Sequence, residues 1–287
     1  MKKEKQQIKF GKISKLKISE YKVGFLGPEG TFSWEAAKKI FLKNNLLIPF
    51  ENISDIFVAV AEKKINFAVV PIENRIGGLV SETINSFIDF PVFTIGSFKM
   101  PIHHFFASKE KCLKKIKIIK SHHQPLIQCS HWLKKNIPWV AQESFSSTVA
   151  PLKERLENVG FIVPYHIAKK YKLSILGKRI ENAKDNFTQF LIIANQINNE
   201  IIKNFQSKNT LLLFSVYDKP GILRDILNVF ADKNINLSAL HSIHSYSLAW
   251  DYFFFIWVEK QYFSKEMKHC LKELEKYCPY IKLLGSA

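Results

Sequence analysis

Four short polar segments stand where strand-like runs end, and together they hold the groups with which a protein can grip a small anion. Gly27-Pro28-Glu29-Gly30-Thr31-Phe32-Ser33 has glycines for a tight turn and Ser33 placed to cap a helix. Its exposed amides could hold a carboxylate, and a purely structural turn accounts for the segment equally well. Val70-Pro71-Ile72-Glu73-Asn74-Arg75-Ile76-Gly77-Gly78 carries an acid, an amide and a guanidinium, with loop capping as the plain alternative for Glu73 and Asn74. Ser121-His122-His123-Gln124-Pro125 offers an imidazole and an amide, although the ordinary reading of His122 is a helix-flanking or buried ring. Asn186-Phe187-Thr188-Gln189-Phe190 opens the last apolar run before a polar stretch, and on its own Thr188 is a β-branched residue suited to a strand. Ser144, Ser146 and Ser147 follow another strand, where helix capping competes with ligand contact.

The elements that must position these groups read as crossover units with a largely parallel sheet, because short β-branched and aromatic runs alternate with helix-period segments. Strands are expected at Lys22 to Gly27 and Phe67 to Ile72, with helices at Ser33 to Lys43, Ser54 to Lys63 and Ser81 to Ile88. Val92 to Phe98 and His103 to Ser108, separated by Met100-Pro101, suggest a crossing into a second lobe. There the strands Ile116 to Lys120, Trp139 to Glu143 and Val159 to Val163 alternate with helices at Pro125 to Lys135 and Ser147 to Glu157. Thr188 to Ala194 closes the set as a nearly unbroken apolar run, fit for a sheet covered on both faces. Two α/β lobes joined by crossing strands imply a cleft, and ligands of such sheets bind beyond the carboxyl ends of strands.

Residues 1–20 read as a polar tail, 21–196 as the two-lobed domain with crossings near 92–108 and 180–194, 197–209 as a linker, and 210–287 as a small separate domain. That last part follows a ferredoxin-like βαββαβ order, with strands at Leu211 to Tyr217, Leu237 to Ser245, Asp251 to Glu259 and Ile281 to Leu284, and helices at Pro220 to Lys233 and Ser264 to Tyr277. Its strand Tyr252 to Val258 is apolar on both faces, so cover by a second copy, and hence a homodimer or tetramer, is expected.

A net charge of +17 raises nucleic acid and anionic membranes as partners. Only Arg75, Arg155, Arg179 and Arg224 are arginine among 42 basic residues, which favours a solvated lysine surface over a nucleic-acid footprint. No window is apolar enough for a membrane helix, and the lead lacks the features of a secretory signal, so a cytoplasmic protein is expected. Cys112, Cys129, Cys270 and Cys278 form no Cys-x-x-Cys pair. His241 and His244, three apart on a strand, point to opposite faces, so no metal is expected there.

The four polar segments, in their order, spacing and position after strands, resemble the prephenate dehydratases, whose equivalents read Gly-Pro-x-Gly-Thr-Phe-Ser, Pro-Ile-Glu-Asn-Ser, Ser-His-Pro-Gln-Pro and Thr-Arg-Phe. Tyr217-Asp218-Lys219-Pro220-Gly221-Ile222-Leu223 and Ile235-Asn236-Leu237 resemble the ACT domain that follows in that family. The resemblance implies a periplasmic-binding-protein-like catalytic fold and conversion of prephenate to phenylpyruvate without metal or organic cofactor, with arogenate dehydratase or a weakened aromatic-ligand sensor as alternatives. It maps the family's essential threonine onto Thr188 and places Thr31, Phe32, Ser33, Asn74, Gly78, His122, Gln124, Ser144, Ser146, Asn186, Gln189 and Phe190 about the substrate. Gln189 stands where relatives have arginine and Arg75 where they have serine, so Arg75 is expected to supply the missing guanidinium from across the cleft. Leu79 replaces a common serine. In the ACT part, His241 and Ser242 stand in the family's Glu-Ser positions opposite Gly221, Ile222 and Leu223; loss of that acid implies weak or absent phenylalanine binding.

Overall fold

A computed structural model describes residues 21–41, 45–145, 149–153, 157–197, 208–244 and 252–287. In the first lobe, strands β1 (Lys22–Leu26), β2 (Leu46–Phe50), β3 (Phe67–Asn74), the short β4 (Gly78–Leu79) and β5 (Phe93–Pro101) surround helices α1 (Phe32–Ile40), α2 (Ile53–Ala61) and α3 (Ser81–Asp89). The second lobe contains β6 (Phe105–Ser108), β7 (Ile118–His122), α4 (His123–Gln128), α5 (Ser130–Asn136), β8 (Ala141–Phe145), β9 (Val159–Val163), α6 (Tyr165–Lys170) and β10 (Ser174–Gly177). Strand β11 (Phe187–Ala194) returns to the first lobe.

The expected largely parallel sheet is in fact mixed. β1 pairs in parallel with β2 and β3, whereas β11 runs antiparallel to both β3 and β5. The reason is the double crossing: β5 leaves the lobe at the end where Pro101 pairs with Phe187, and β11 re-enters at that same end running the other way. In the second lobe β7 is parallel to β8 and β9, while β6 is antiparallel to β9 and β10. Local signals missed several short elements. The Pro49-bearing strand β2, the short helix α6 and the strand β10 were not anticipated, because each is brief and owes its form to a partner. The expected helix from Pro125 to Lys135 is two helices, broken at the buried Cys129. Of the expected helix Ser147 to Glu157, the described part contains a 3-10 turn at Ala150–Lys153; the tail at 1–20 and most of the linker lie outside the described residues.

The carboxyl-terminal part forms β12 (Thr210–Ser215), α7 (Ile222–Ala231), β13 (Leu237–His244), β14 (Tyr252–Val258), α8 (Lys265–Leu274) and β15 (Tyr280–Ser286). It does not stand apart from the first lobe. β15 meets β5 in parallel at Gly285 and Thr94, so a ten-stranded sheet runs through both parts. Lys282 extends beneath α3 and donates from Nζ to the carbonyls of Phe87 (2.5 Å) and Phe90 (2.6 Å), capping that helix's carboxyl end. Burial pushes this ammonium's pKa down, and nearby Asp89 works against that shift.

This union corrects the expectation about β14. One face, Phe253, Phe255 and Trp257, joins a core cluster with Phe57 and Phe87 of the first lobe. The other, Ile256 and Val258, packs with Ile226, Phe230 and Met267 of α7 and α8. Both apolar faces are thus covered within one chain, so β14 supplies no argument for a second copy.

Candidate active site

A cavity of about 360 Å³ lies between the lobes, at the strand ends. Thr31, Phe32 and Ser33 enter from the start of α1, Asn74 and Gly78 from the end of β3 and from β4, His122 and Gln124 from the start of α4, and Thr188 and Phe190 from β11. Long-range folding brings these four local motifs to one place.

Each motif is held by its own local bonds. The Thr31 hydroxyl donates to the Leu26 carbonyl (3.0 Å) and accepts from the Trp34 amide (3.3 Å), so it caps α1 and is already committed. By helix geometry, the amides of Phe32 and Ser33 remain unspent at the cavity. Gly30 has φ +95°, and an added Cβ would meet Ile167 Cδ1 at 2.2 Å, so the motif's second glycine answers both a left-handed backbone and contact with the other lobe. His122 caps α4, its Nδ1 accepting from the Gln124 amide (3.3 Å). Burial, and then neighbouring His123, push this imidazole's pKa down, which suits a neutral acceptor. Gln124 reaches across the cleft: a Cβ on Gly77 would lie 2.7 Å from its Nε2.

Asn74 is the hub of the first lobe's side. Its Oδ1 accepts from the amides of Ile76 (3.1 Å) and Gly77 (2.9 Å), and backbone amides can only donate, so the orientation of the side-chain amide is set. Nδ2 therefore faces Asn186 Oδ1 (3.1 Å), the Phe187 carbonyl (3.1 Å) and Thr188 Oγ1 (2.9 Å). A threonine oxygen that accepts from Asn74 keeps its own hydrogen for another partner. Thr188 lines the cavity and is 8% exposed. The arrangement presents one oriented hydroxyl donor at the cavity wall.

Other expected residues lie elsewhere. Asn186 is 1% exposed and sits behind the wall, bonded to Asn74. Gln189 is absent from the lining, since its neighbours Thr188 and Phe190 on β11 take the cavity side. Arg75 does not supply the missing guanidinium: it is exposed, pairs with Asp185, and stays out of the cavity. One position separates it from Asn74, and that places the two side chains in different surroundings. Ser144 lies on β8 opposite Ser121, away from the lining, and Ser146 falls outside the described residues. At the carboxyl-terminal domain, Gly221 takes a left-handed φ of +83° before Ile222 and Leu223 in α7. His241 packs on Phe255, and Ser242 is exposed on β13.

The cavity also contains residues that no motif singled out. His104, Gln128, Ile102, Leu79 and Val80 complete its wall. His104 follows the Pro101 break at the crossing between lobes, a position that a search of strand ends would have reached. Among the described lining residues there is neither a lysine or arginine nor an aspartate or glutamate. Backbone donors for an anion are offered by the amino end of α1, whose first-turn residues Phe32 and Ser33 line this space.

A second contact between lobes flanks the first motif. His166 of α6 places Nδ1 3.2 Å from Glu35 Oε2 and Nε2 3.1 Å from the Gly30 carbonyl, while its ring packs on Trp34. Burial works to raise the Glu35 carboxyl, but bonds to His166 and Lys39 outweigh it and bring the pKa down to about 2. A carboxyl whose folded pKa is depressed stabilises fully above its unfolded value, and that stability is lost as pH falls through the folded one. Glu35→Gln should therefore cost on the order of 2 kcal/mol near neutrality, allowing for partial exposure. In urea unfolding the gap between parent and variant should close from pH 4.5 toward about 2. A gap constant with pH would show that the carboxylate's charge does not hold the lobes.

A family model for prephenate dehydratase matches residues 23–198, and one for the ACT domain matches residues 210–258. The chain is 36% identical over 267 residues to the bifunctional chorismate mutase/prephenate dehydratase of Aquifex aeolicus, covering 92% of this chain and 73% of that protein. It is 35% identical over 266 residues to the prephenate dehydratase of Methanocaldococcus jannaschii, covering 90% and 94%. The solved prephenate dehydratase of Arthrobacter aurescens in complex with L-Phe matches with a TM-score of 0.80 at 26% identity, over 92% of this chain and 89% of that one.

Proposed function

The chain belongs to the prephenate dehydratase family, and from that premise we propose that the cavity between its lobes binds prephenate and releases phenylpyruvate, carbon dioxide and water. The ring-borne carbon–carbon bond to carboxylate breaks, its electrons enter the ring, and the hydroxyl on the opposite ring carbon departs with one added proton. Aromatisation drives the step, so the protein's share is alignment and assistance to the departing oxygen.

The observation that carries this reading is the hydroxyl of Thr188, held as an acceptor by Asn74 Nδ2 at 2.9 Å and so left to donate into the cavity. A hydrogen bond there strengthens as negative charge builds on the leaving oxygen. The amino end of α1 answers a carboxylate, and Phe32 and Phe190 offer apolar surface to the ring. A helix amino end favours an anionic guest, and the +17 net charge adds a favourable field.

The same lining favours the keto acid over arogenate, its amino counterpart. An ammonium entering this space would find no carboxylate among the described lining residues. Purified protein incubated with either compound should form phenylpyruvate from prephenate with kcat/KM at least about tenfold above that for phenylalanine from arogenate. Added phenylalanine should inhibit weakly or not at all, since His241 occupies the position of the family's acid. Equal rates on both substrates would remove the charge argument, and turnover of neither, with binding retained, would favour a sensor.

A further inference from the structure

The mechanism above leaves one buried group in the cavity wall unused. His104 is 2% exposed and lines the cavity, yet its Nδ1 has no hydrogen-bond partner among the described residues. Its Nε2 lies 3.0 Å from Gln128 Oε1, and the same oxygen is reached by Asn186 Nδ2 at 3.4 Å. Asn186 Oδ1 in turn accepts from Asn74, which also reaches Thr188 Oγ1. A line of side chains thus runs from the second lobe, through the crossing, to the hydroxyl at the opposite wall.

The direction of every bond in that line follows from its ends. At one end, the amides of Ile76 and Gly77 make Asn74 Nδ2 the donor toward Asn186 Oδ1. Asn186 must then turn its own NH₂ toward Gln128, which makes Gln128 Oε1 an acceptor. An acceptor facing His104 Nε2 requires a hydrogen on that nitrogen. The ring packs edge-on with Phe32, centroids 5.6 Å apart, and a second hydrogen, on Nδ1, would be buried without a partner among the described residues. Burial likewise pushes the ring's pKa down.

His104 itself is stitched in place. Its amide donates to Glu181 Oε2 (2.9 Å), whose other oxygen lies 2.8 Å from His103 Nδ1, and its carbonyl accepts from Ile180 (3.0 Å). Glu181 is 6% exposed.

Resting on the dehydratase reading, we infer that His104 is a positioning residue for Thr188: its Nε2–H anchors Gln128 and Asn186, so that Asn74 holds the Thr188 hydroxyl as a donor aimed at the leaving oxygen. Asn74 Nδ2 has two hydrogens and three acceptor neighbours, Asn186 Oδ1, the Phe187 carbonyl and Thr188 Oγ1. Without the Nε2 donor, Gln128 and Asn186 can flip their amides, and an Asn186 NH₂ turned on Asn74 Nδ2 sets donor against donor, pushes Asn74 off Thr188 Oγ1 and leaves the hydroxyl free to rotate. His104 moves no proton in this role, since both the neutral ring and the imidazolium donate from Nε2.

Kinetics of His104→Leu and His104→Gln test the assignment, because a glutamine amide can replace the Nε2 donor and leucine cannot. His104→Leu should lower kcat at least about tenfold with KM within about threefold, and His104→Gln should recover to within about threefold of the parent with the same pH profile of kcat. In a Thr188→Val background His104→Leu should cost less than about twofold more, because the group it positions is gone. A loss in His104→Gln equal to that in His104→Leu, additivity with Thr188→Val, or a kcat limb that vanishes in His104→Gln would each overturn the role. Should His104→Leu lack a cooperative melt, Gln128→Met breaks the same line and carries the same expectations. An activity-free readout separates this inference from the substrate reading. Imidazole nitrogen NMR of the parent should place the His104 hydrogen on Nε2, and the Asn74 side-chain amide resonances should shift in His104→Leu but not in His104→Gln. A hydrogen on Nδ1 or unmoved Asn74 resonances would overturn the inference even if the parent turned over no prephenate.

Discussion

Replacing Thr188 by valine is expected to lower kcat for prephenate about a thousandfold and to leave KM within about threefold. Valine keeps the β-branched shape of threonine, and residue 188 is nearly buried on β11, so packing changes little. What disappears is the Thr188 hydroxyl that Asn74 leaves free to donate at the cavity wall. Asn74 Nδ2 loses an acceptor but retains Asn186 Oδ1 and the Phe187 carbonyl, so no amide hydrogen is stranded. The cost to folding should stay within about 1 kcal/mol, and the loss should fall on the reaction. Thr188→Ser restores the hydroxyl without the methyl, and its kcat should return to within about tenfold of the parent. Steady-state kinetics beside thermal melts of the three proteins decide the matter. A valine variant within tenfold of the parent would mean that the hydroxyl does not assist the leaving oxygen.

The second large effect concerns stability, at the junction of the two parts of the chain. Gly285 has φ +115°, and a Cβ there would lie 2.0 Å from the Thr94 carbonyl oxygen. Both the backbone conformation and the space exclude a side chain, and the obstacle is backbone, which cannot turn aside. Gly285→Ala should therefore force β15 away from β5 and destabilise by about 3 kcal/mol or more. The midpoint of thermal unfolding should drop by roughly 6 to 12 °C. The strain enters the shared core through Phe57, Phe87, Phe255 and Leu284, so hydrogen exchange should quicken at Thr94 and along β15. Chemistry is another matter: no residue of β15 lines the cavity, so kcat well below the melting range should remain within about threefold. A variant melting within 2 °C of the parent would show that the bridge between Thr94 and Gly285 does not bind the parts together.

This junction bears on how a carboxyl-terminal domain can touch the reaction. Lys282 caps the carboxyl end of α3, and the amino end of the same helix follows Val80 in the cavity wall. A shift of β15 is thereby linked to the cleft through one rigid element of nine residues.

The chemistry of the four motifs could be read directly from the chain because each motif is local. A glycine turn and a helix cap are decided within a few residues, as at Gly30 and Thr31, and strand ends are marked by the change from apolar to polar composition. The resemblance then ranked Thr188 above its plain role as a strand residue. The βαββαβ order of the last part was legible for the same reason, since hydrophobic period and turn residues carry it.

What the chain alone could not reveal depends on contacts between distant residues. Gln128 meets His104 across 24 positions and Asn186 across 58, and neither pairing leaves a mark in spacing or composition. Arg75 looked like the replacement for a missing arginine because residue type is visible in a sequence and direction is not; Asp185, 110 positions away, takes its charge outside the cavity. The apolar faces of β14 announced a need for cover, and only the tertiary structure decided that the first lobe and the domain's own helices provide it. Local bonding determined which groups are present at each strand end. The packing of lobes and sheet determined which of them face one another, because direction and distance in space are set by the whole fold.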